Sequence, residues 1–388
     1  MSDNIRMTPP KSKLPDTGTS IFTRMSQLAV QHGAINLSQG FPDFDCSPEL
    51  IERVNHHMRA GHNQYAPMAG VMALRERVAA KVEAATGVDY DPETEITITA
   101  GATQALFTAM ATLIGPGDEV ILFEPAYDAY APTVRIFGGV PVPVTLLAPD
   151  FAINWQTVAQ LMSEKTRLIV INSPNNPTAR VFSDTDYLEL SRLVSGRECY
   201  LLSDEVYEHV VFDGVAHRSA VHYPELRERV FVVASFGKLY HITGWKVGYC
   251  LAPRELMMEF RKVHQFNVFS VNTPTQYALA DFLDRPEAYL GLSAFFQAKR
   301  DLLLSGLAGT KLKPLPCEGT YFLLADYSAI SDQPEQAFCQ WLTQQHGVAT
   351  IPIAAFYTDK VDQGLIRICF AKREGTLEKA IERLMTIK

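Results

Sequence analysis

From about residue 95 onward, short β-branched and aliphatic runs alternate with stretches whose apolar positions recur every three or four residues. The runs are EITIT (95–99), EVILF (119–123), RLIVIN (167–172), CYLLSD (199–204), RVFVVAS (229–235) and VGYCLA (247–252). Between two of them lies SDTDYLELSRLVSG (183–196), which opens on a capping serine and closes on glycine. Runs that are apolar on both faces and separated by helices predict a mostly parallel sheet with helices on both faces. That is an α/β fold.

Beyond residue 285 the pattern changes. PEAYLGLSAFFQAKRDLLLSGLAG (286–309) predicts one long helix, TYFLLAD (320–326) and GLIRICF (364–370) predict strands, and helices are expected over 334–345 and 374–387. This is the pattern of a smaller α+β domain. The first 45 residues show little strand pattern, which leaves open the part they pack on. The expected organisation is an N-terminal arm (1–45), a large α/β domain (46–285) and a small C-terminal α+β domain (286–388). A chain of 388 residues exceeds what one hydrophobic core supports, in agreement with that division.

A net charge of −8, with no long basic block, argues against a polymeric phosphate partner. The polar opening MSDNIRMTPPKSKLPDTGTS lacks the apolar core of a secretion signal. No apolar run approaches the roughly 18 residues of a membrane helix. The six cysteines are scattered among apolar neighbours without CxxC spacing, as in a reduced, cytoplasmic protein.

Ligands of open α/β sheets bind beyond the carboxyl ends of the strands. There RLIVIN runs into SPNNPT with Asn175 and Asn176, CYLLSD delivers Asp204 with Tyr207 three residues on, and RVFVVAS delivers Ser235 and Lys238. EITIT leads into AGATQAL, where Gly101 opens a helix whose first N–H groups point outward. Singly, each has an ordinary reading: Asp204 a loop carboxylate or cap, Lys238 a snorkelling surface lysine, Asn176 a turn residue before Pro177. Together they suit a phosphate at a helix N-terminus, a nitrogen heterocycle facing aspartate and a carbonyl carbon captured by lysine. Walker A, GxGxxG after a strand and HExxH are all absent, and NHH at 55–57 reads as an exposed helix surface.

NSPNNPT, SDEVYEH, SFGKLYHITGWKVGY and GLIRICF, in that order, resemble the fold-type I, class I pyridoxal-phosphate aminotransferases over nearly the whole chain. LSQGFPDFD (37–45), NQYAP (63–67) and CEGTYFLLADYS (317–328) narrow the resemblance to the kynurenine and methionine aminotransferase group. The resemblance implies that Lys238 holds pyridoxal 5′-phosphate covalently and then serves as acid and base. Asp204 would face the pyridine nitrogen, Asn176 and Tyr207 the phenolic oxygen, and Tyr127 the ring. The amides of Ala102 and Thr103, the Ser235 hydroxyl and Lys246 would hold the phosphate. Tyr65 would join them from the partner of a homodimer, with Phe269 also reaching the partner's site. Arg367 would clamp the substrate α-carboxylate beside Gly40 and Asn176, and Phe22, Tyr65, Phe269 and Tyr321 would surround the side chain.

No second arginine offers itself for a dicarboxylate. Two positions depart from the common pattern: Lys246 stands where many class I enzymes have arginine, and NPTA replaces NPTG, with Ala179 for glycine. The implied activity moves the amino group of methionine or an aromatic amino acid to a 2-oxo acid. The alternative within the fold is a kynurenine–oxoglutarate transaminase with β-elimination of cysteine S-conjugates. A non-catalytic effector-binding regulator would need a DNA-binding segment, for which the short polar N-terminus has no room.

Overall fold

The computed structural model describes residues 10–387, so part of the expected N-terminal arm lies outside the described residues. Seven strands form the main sheet, in the order Ile96–Thr99, Gly248–Leu251, Val230–Ser235, Tyr200–Asp204, Thr166–Asn172, Glu119–Glu124 and Val140–Thr145. Gly248–Leu251 runs antiparallel to both neighbours, and the remaining pairings are parallel. Six of these strands coincide with the six apolar runs.

Side chains on a strand alternate between faces, and here both faces are buried. Ile121, Ile169, Ile171, Leu201, Val230 and Val232 enter one layer, with Leu74 and Val78 of helix Met72–Thr86 and Leu190 of helix Asp184–Val194. Their neighbours Val120, Leu122, Val170, Leu202, Phe231 and Val233 enter the other, against helices Ala102–Leu113 and Arg254–Asn267. The double burial explains why the runs are continuously apolar. Helix Asp184–Val194 starts on the expected serine, whose hydroxyl accepts from the Asp186 amide while the Asp186 carboxylate accepts from the Ser183 amide.

The seventh strand, Val140–Thr145, was not expected, because its VPVPVT sequence carries two prolines. It lies at the sheet edge. The Val140 and Leu146 amides donate inward to Asp118 and Glu124, so Pro141 and Pro143, of opposite parity, face outward where no N–H is needed. The long helix expected over 286–309 is broken at Gly291 into Glu287–Leu290 and Leu292–Leu307.

A second, antiparallel sheet has the order Ile351–Pro352, Leu365–Cys369, Phe322–Asp326, Lys313–Pro314. Ile35–Asn36 pairs in parallel with Val348–Ala349, and helix Ile21–Gln31 packs on helix Glu335–His346. The N-terminal segment therefore sits on the C-terminal part, the question its sequence left open. Among the described residues, no helix is long and apolar enough to cross a membrane.

His57 corrects the expectation of an exposed NHH surface. It is buried, with its two ring nitrogens 2.9 Å from an Asp281 carboxylate oxygen and 3.0 Å from His62 Nδ1. Ala179 is buried at φ 62°, so the turn that glycine usually makes is made here by a residue with a Cβ.

On the back of the main sheet Lys81 Nζ, almost fully buried, donates to Glu208 Oε1 at 2.8 Å and to the Tyr249 hydroxyl at 3.2 Å. Removing one member of such a pair strands the other charge. Lys81→Met should cost about 3 kcal/mol of stability, read as a lower denaturant midpoint; an unchanged midpoint contradicts this account of the pair.

Candidate active site

A cavity of about 390 Å³ opens at the carboxyl ends of the main-sheet strands. It is walled on the other side by residues 39–41, Phe322 and Arg367. At one end, Gly101 turns at φ 80° into helix Ala102–Leu113, which has no side-chain cap, leaving the amides of Ala102 and Thr103 to face the cavity. Lys246, itself at φ 55°, brings Nζ to 3.4 Å from where a Cβ on Gly101 would stand. Gly248 lets the helix start nest on the sheet, since a Cβ there would lie 2.6 Å from the Ala234 carbonyl and 3.0 Å from the Ala102 amide. Ser235 and Thr243 line the same end. Amides, hydroxyls and an ammonium converging on one spot make an anion seat.

Asp204, the last residue of its strand, is buried in the cavity floor. Its Oδ2 accepts from the Tyr130 hydroxyl at 2.6 Å and its Oδ1 from the Val206 amide at 3.3 Å. Burial pushes its pKa up to about 6, against the pull of the Tyr130 hydrogen bond. Asn172 links two strand ends: its side chain donates to the Asp204 carbonyl at 2.9 Å and accepts from the Asn176 amide at 2.8 Å.

Lys238 lies in the single turn Phe236–Leu239 that follows strand Val230–Ser235. Its amine donates to the Tyr321 hydroxyl at 2.6 Å and the Gly40 carbonyl at 3.2 Å, and has no carboxylate partner among the described residues. Burial lowers its pKa to about 8, helped by the positive charges of Arg367 and Lys246 and opposed by Asp204 and Cys369. A neutral, nucleophilic fraction is therefore available near neutral pH.

Opposite stands Arg367, 1% exposed, its guanidinium carbon 3.9 Å from the centre of the Phe322 ring. Nη1 donates to Asn176 Oδ1 at 2.7 Å and Nη2 to the Ser38 carbonyl at 2.9 Å, while Nε has no partner. Burial lowers its pKa to about 10, so it stays a cation through the neutral range. An unpartnered buried N–H on a cation suits an incoming carboxylate.

Twelve of the sequence-identified residues line this one cavity: Phe22, Gly40, Ala102, Thr103, Tyr127, Asn176, Asp204, Tyr207, Ser235, Lys238, Lys246 and Arg367. Tyr321, expected among the side-chain residues, is instead buried behind Lys238, donating to the Gly40 carbonyl at 2.6 Å. Tyr65 and Phe269 lie outside the cavity of their own chain, 83% and 44% exposed, with their rings edge to face at 5.5 Å. Sequence reasoning passed over Tyr130, Asn172 and Asp128. The first sits three residues after Tyr127, its amide donating to the Tyr127 carbonyl at 3.2 Å where helix Tyr130–Ile136 begins, and the second is the polar end of an apolar run.

The raised pKa of Asp204 has a measurable sign. Its folded value lies above the roughly 3.9 of an unfolded aspartate, so the folded protein holds that proton more tightly. The stability so gained is complete below about pH 4 and lost as pH rises through about 6. Relative to Asp204→Asn, ligand-free wild type should lose up to about 3 kcal/mol between pH 4 and 7. Parallel stability curves for the two proteins would contradict a buried, uncompensated carboxylate.

Residues 32–384 match the family model of aminotransferase class I and II. A methionine aminotransferase of Escherichia coli is 54% identical over 97% of this chain and 97% of its own length. The crystal structure of an E. coli protein identified as having methionine aminotransferase function has a TM-score of 0.95 at 53% identity, covering 98% of this chain and all 100% of that one. N-succinyldiaminopimelate aminotransferase from Mycobacterium tuberculosis follows at a TM-score of 0.94 and 37% identity, covering 98% and 100%. A kynurenine–oxoglutarate transaminase of Dictyostelium discoideum is 33% identical, over 98% of this chain and 96% of its own length. With the family model spanning nearly the whole chain and the same mostly parallel sheet in its structural neighbours, the chain belongs to the class I and II aminotransferases.

Proposed function

We propose that this enzyme binds pyridoxal 5′-phosphate and moves the amino group of methionine, or of an aromatic amino acid, to a 2-oxo acid in two half-reactions. The observation that carries the reading is the half-buried Lys238 amine, lowered to a pKa of about 8 and without a carboxylate partner among the described residues. The cavity fits the cofactor: the uncapped helix start with Lys246 suits its phosphate, and buried Asp204, without an ion-pair partner among the described residues, suits a protonated ring nitrogen.

When bound, the cofactor supplies an electrophilic carbonyl and a ring that accepts the electron pair of the substrate Cα–H bond. The protein supplies the rest. Asp204 would face the ring nitrogen and keep it protonated, and the hydrogen bonds from Tyr130 and the Val206 amide favour its ionised form and aim it. Tyr127, Asn176 and Tyr207 line the same cavity, where Tyr127 would pack on the ring and Asn176 and Tyr207 would donate to its phenolic oxygen. Arg367 takes the α-carboxylate on its open edge, fixing which substrate bond stands across the ring plane. Lys238, whose amine lines the cavity, would hold the cofactor and would serve as the base that takes the Cα proton and the acid that returns it.

Methionine is favoured by its relative at 54% identity and by apolar walls that include Phe22, Phe41 and Phe322. We further propose a homodimer in which the exposed pair Tyr65 and Phe269 completes the partner's cavity, and a cytoplasmic enzyme, in keeping with six free cysteines. The boundaries 46–285 and 286–388 are proposed for the large and small domains, each built on its own sheet.

With methionine and a 2-oxo acid varied together, double-reciprocal plots should be parallel; intersecting lines contradict the two-step exchange. Pyruvate released from a cysteine S-conjugate without any acceptor would point to elimination as the main chemistry. Lys238→Ala should lower oxo-acid formation by about 10³-fold or more, and retained turnover would remove Lys238 from the mechanism.

A further inference from the structure

Four consecutive carbonyls of the N-terminal segment are gripped by side chains from the rest of the chain. Ser38 accepts from Arg367 Nη2 at 2.9 Å, and Gly40 from Tyr321 at 2.6 Å and Lys238 at 3.2 Å. Gln39 and Phe41 both accept from Lys372 Nζ, at 3.4 and 2.7 Å. Arg367 and Lys238 approach from the cavity, Tyr321 from behind Lys238, and Lys372 from outside the cavity lining.

Lys372 is 3% exposed, yet it has no carboxylate partner among the described residues, and its amine spends its hydrogen bonds on those two carbonyls. Lysines so buried are ordinarily paired with an acid. The residue between the two carbonyls cannot move inward, because a Cβ on Gly40 would already lie 2.8 Å from Phe322 Cζ. Outward there is room: a groove of about 340 Å³ runs past Asn36, Asp43 and Lys379 on the far side of the segment. Lys372 closes that direction.

We propose that Lys372 is a positioning residue for the substrate α-carboxylate. By fixing the carbonyls on either side of Gly40, it holds in place the segment whose Ser38 carbonyl accepts from Arg367. Through Ser38 it sets the orientation of Arg367. When Lys238 and Arg367 turn to cofactor and substrate, their own grips on the segment weaken, while both bonds from Lys372 remain. An ammonium group suits this task because its three donors can serve two carbonyls at once. The role rests on the aminotransferase reading and extends it to a residue outside the cavity.

The test compares Lys372→Met with wild-type holoenzyme, using methionine and 3-(methylthio)propylamine, the same donor without its carboxylate. The KM for methionine should rise about tenfold with kcat nearly unchanged. Single-turnover reaction with the amine should be the same in both proteins, as should bound cofactor. Lys372→Gln, which keeps a donor but not the charge, should fall between them, and it carries the comparison if the methionine variant folds poorly. An unchanged KM, equal losses on both donors, or losses that track bound cofactor and melting temperature would overturn the role. Wild type that reacts with neither donor would sink the functional reading itself, and this proposal with it.

Discussion

Everything at this site depends on keeping the half-buried Lys238 amine out of contact with any carboxylate among the described residues. Lys238 stands at the end of a sheet strand, where burial makes its charge costly, and the chain offers it a phenol and a carbonyl in place of an acid. Neither neutralises the charge. The nearby cations Arg367 and Lys246 push the same way as burial. The carboxylate that acts on it, Asp204, has its oxygens committed to Tyr130 and the Val206 amide. A salt bridge between Lys238 and Asp204 would steady both groups and remove both from chemistry.

The scaffold separates the two by geometry. Parallel strands end side by side, so each contributes one chemically distinct group to a common edge: an anion seat from Gly101 and its helix, a carboxylate from Asp204, an amine after Ser235. The second sheet supplies Arg367 on an inner strand, its guanidinium over the ring of Phe322 on the adjoining strand. The N-terminal segment crosses between them, with its carbonyls held from both sides. Arg367 and the groups at the main-sheet strand ends thus come from different sheets, and their alignment depends on that crossing segment.

The parts of this arrangement legible in the sequence were those with a strong local cause. Six strands announced themselves because both their faces are buried, and helix Asp184–Val194 because its stretch of sequence opens on a capping serine and closes on glycine. The edge strand Val140–Thr145 was hidden by prolines that matter only if their nitrogens face a partner, and here they do not. Twelve site residues converge on one cavity, most of them from the main-sheet strand ends and the rest from the N-terminal segment and the second sheet, but the resemblance, and not periodicity, named their roles. Tyr130 and Lys372 act through other residues across the fold, at separations of 74 and 331 along the chain, and no local pattern marks such contacts. Tyr321 was assigned to the substrate side chain from its aromatic character, whereas its hydroxyl is committed to Lys238 and Gly40.

The central claim is that a covalent bond to the cofactor forms at this one amine among all the lysines of the chain. Reduction of the purified holoenzyme with borohydride, followed by digestion and mass analysis of the peptides, tests it directly. The account predicts a pyridoxyl mass increment on the peptide containing Lys238 and on no other. An increment carried by Lys246, Lys372 or any other residue, or none at all from holoenzyme, would contradict it.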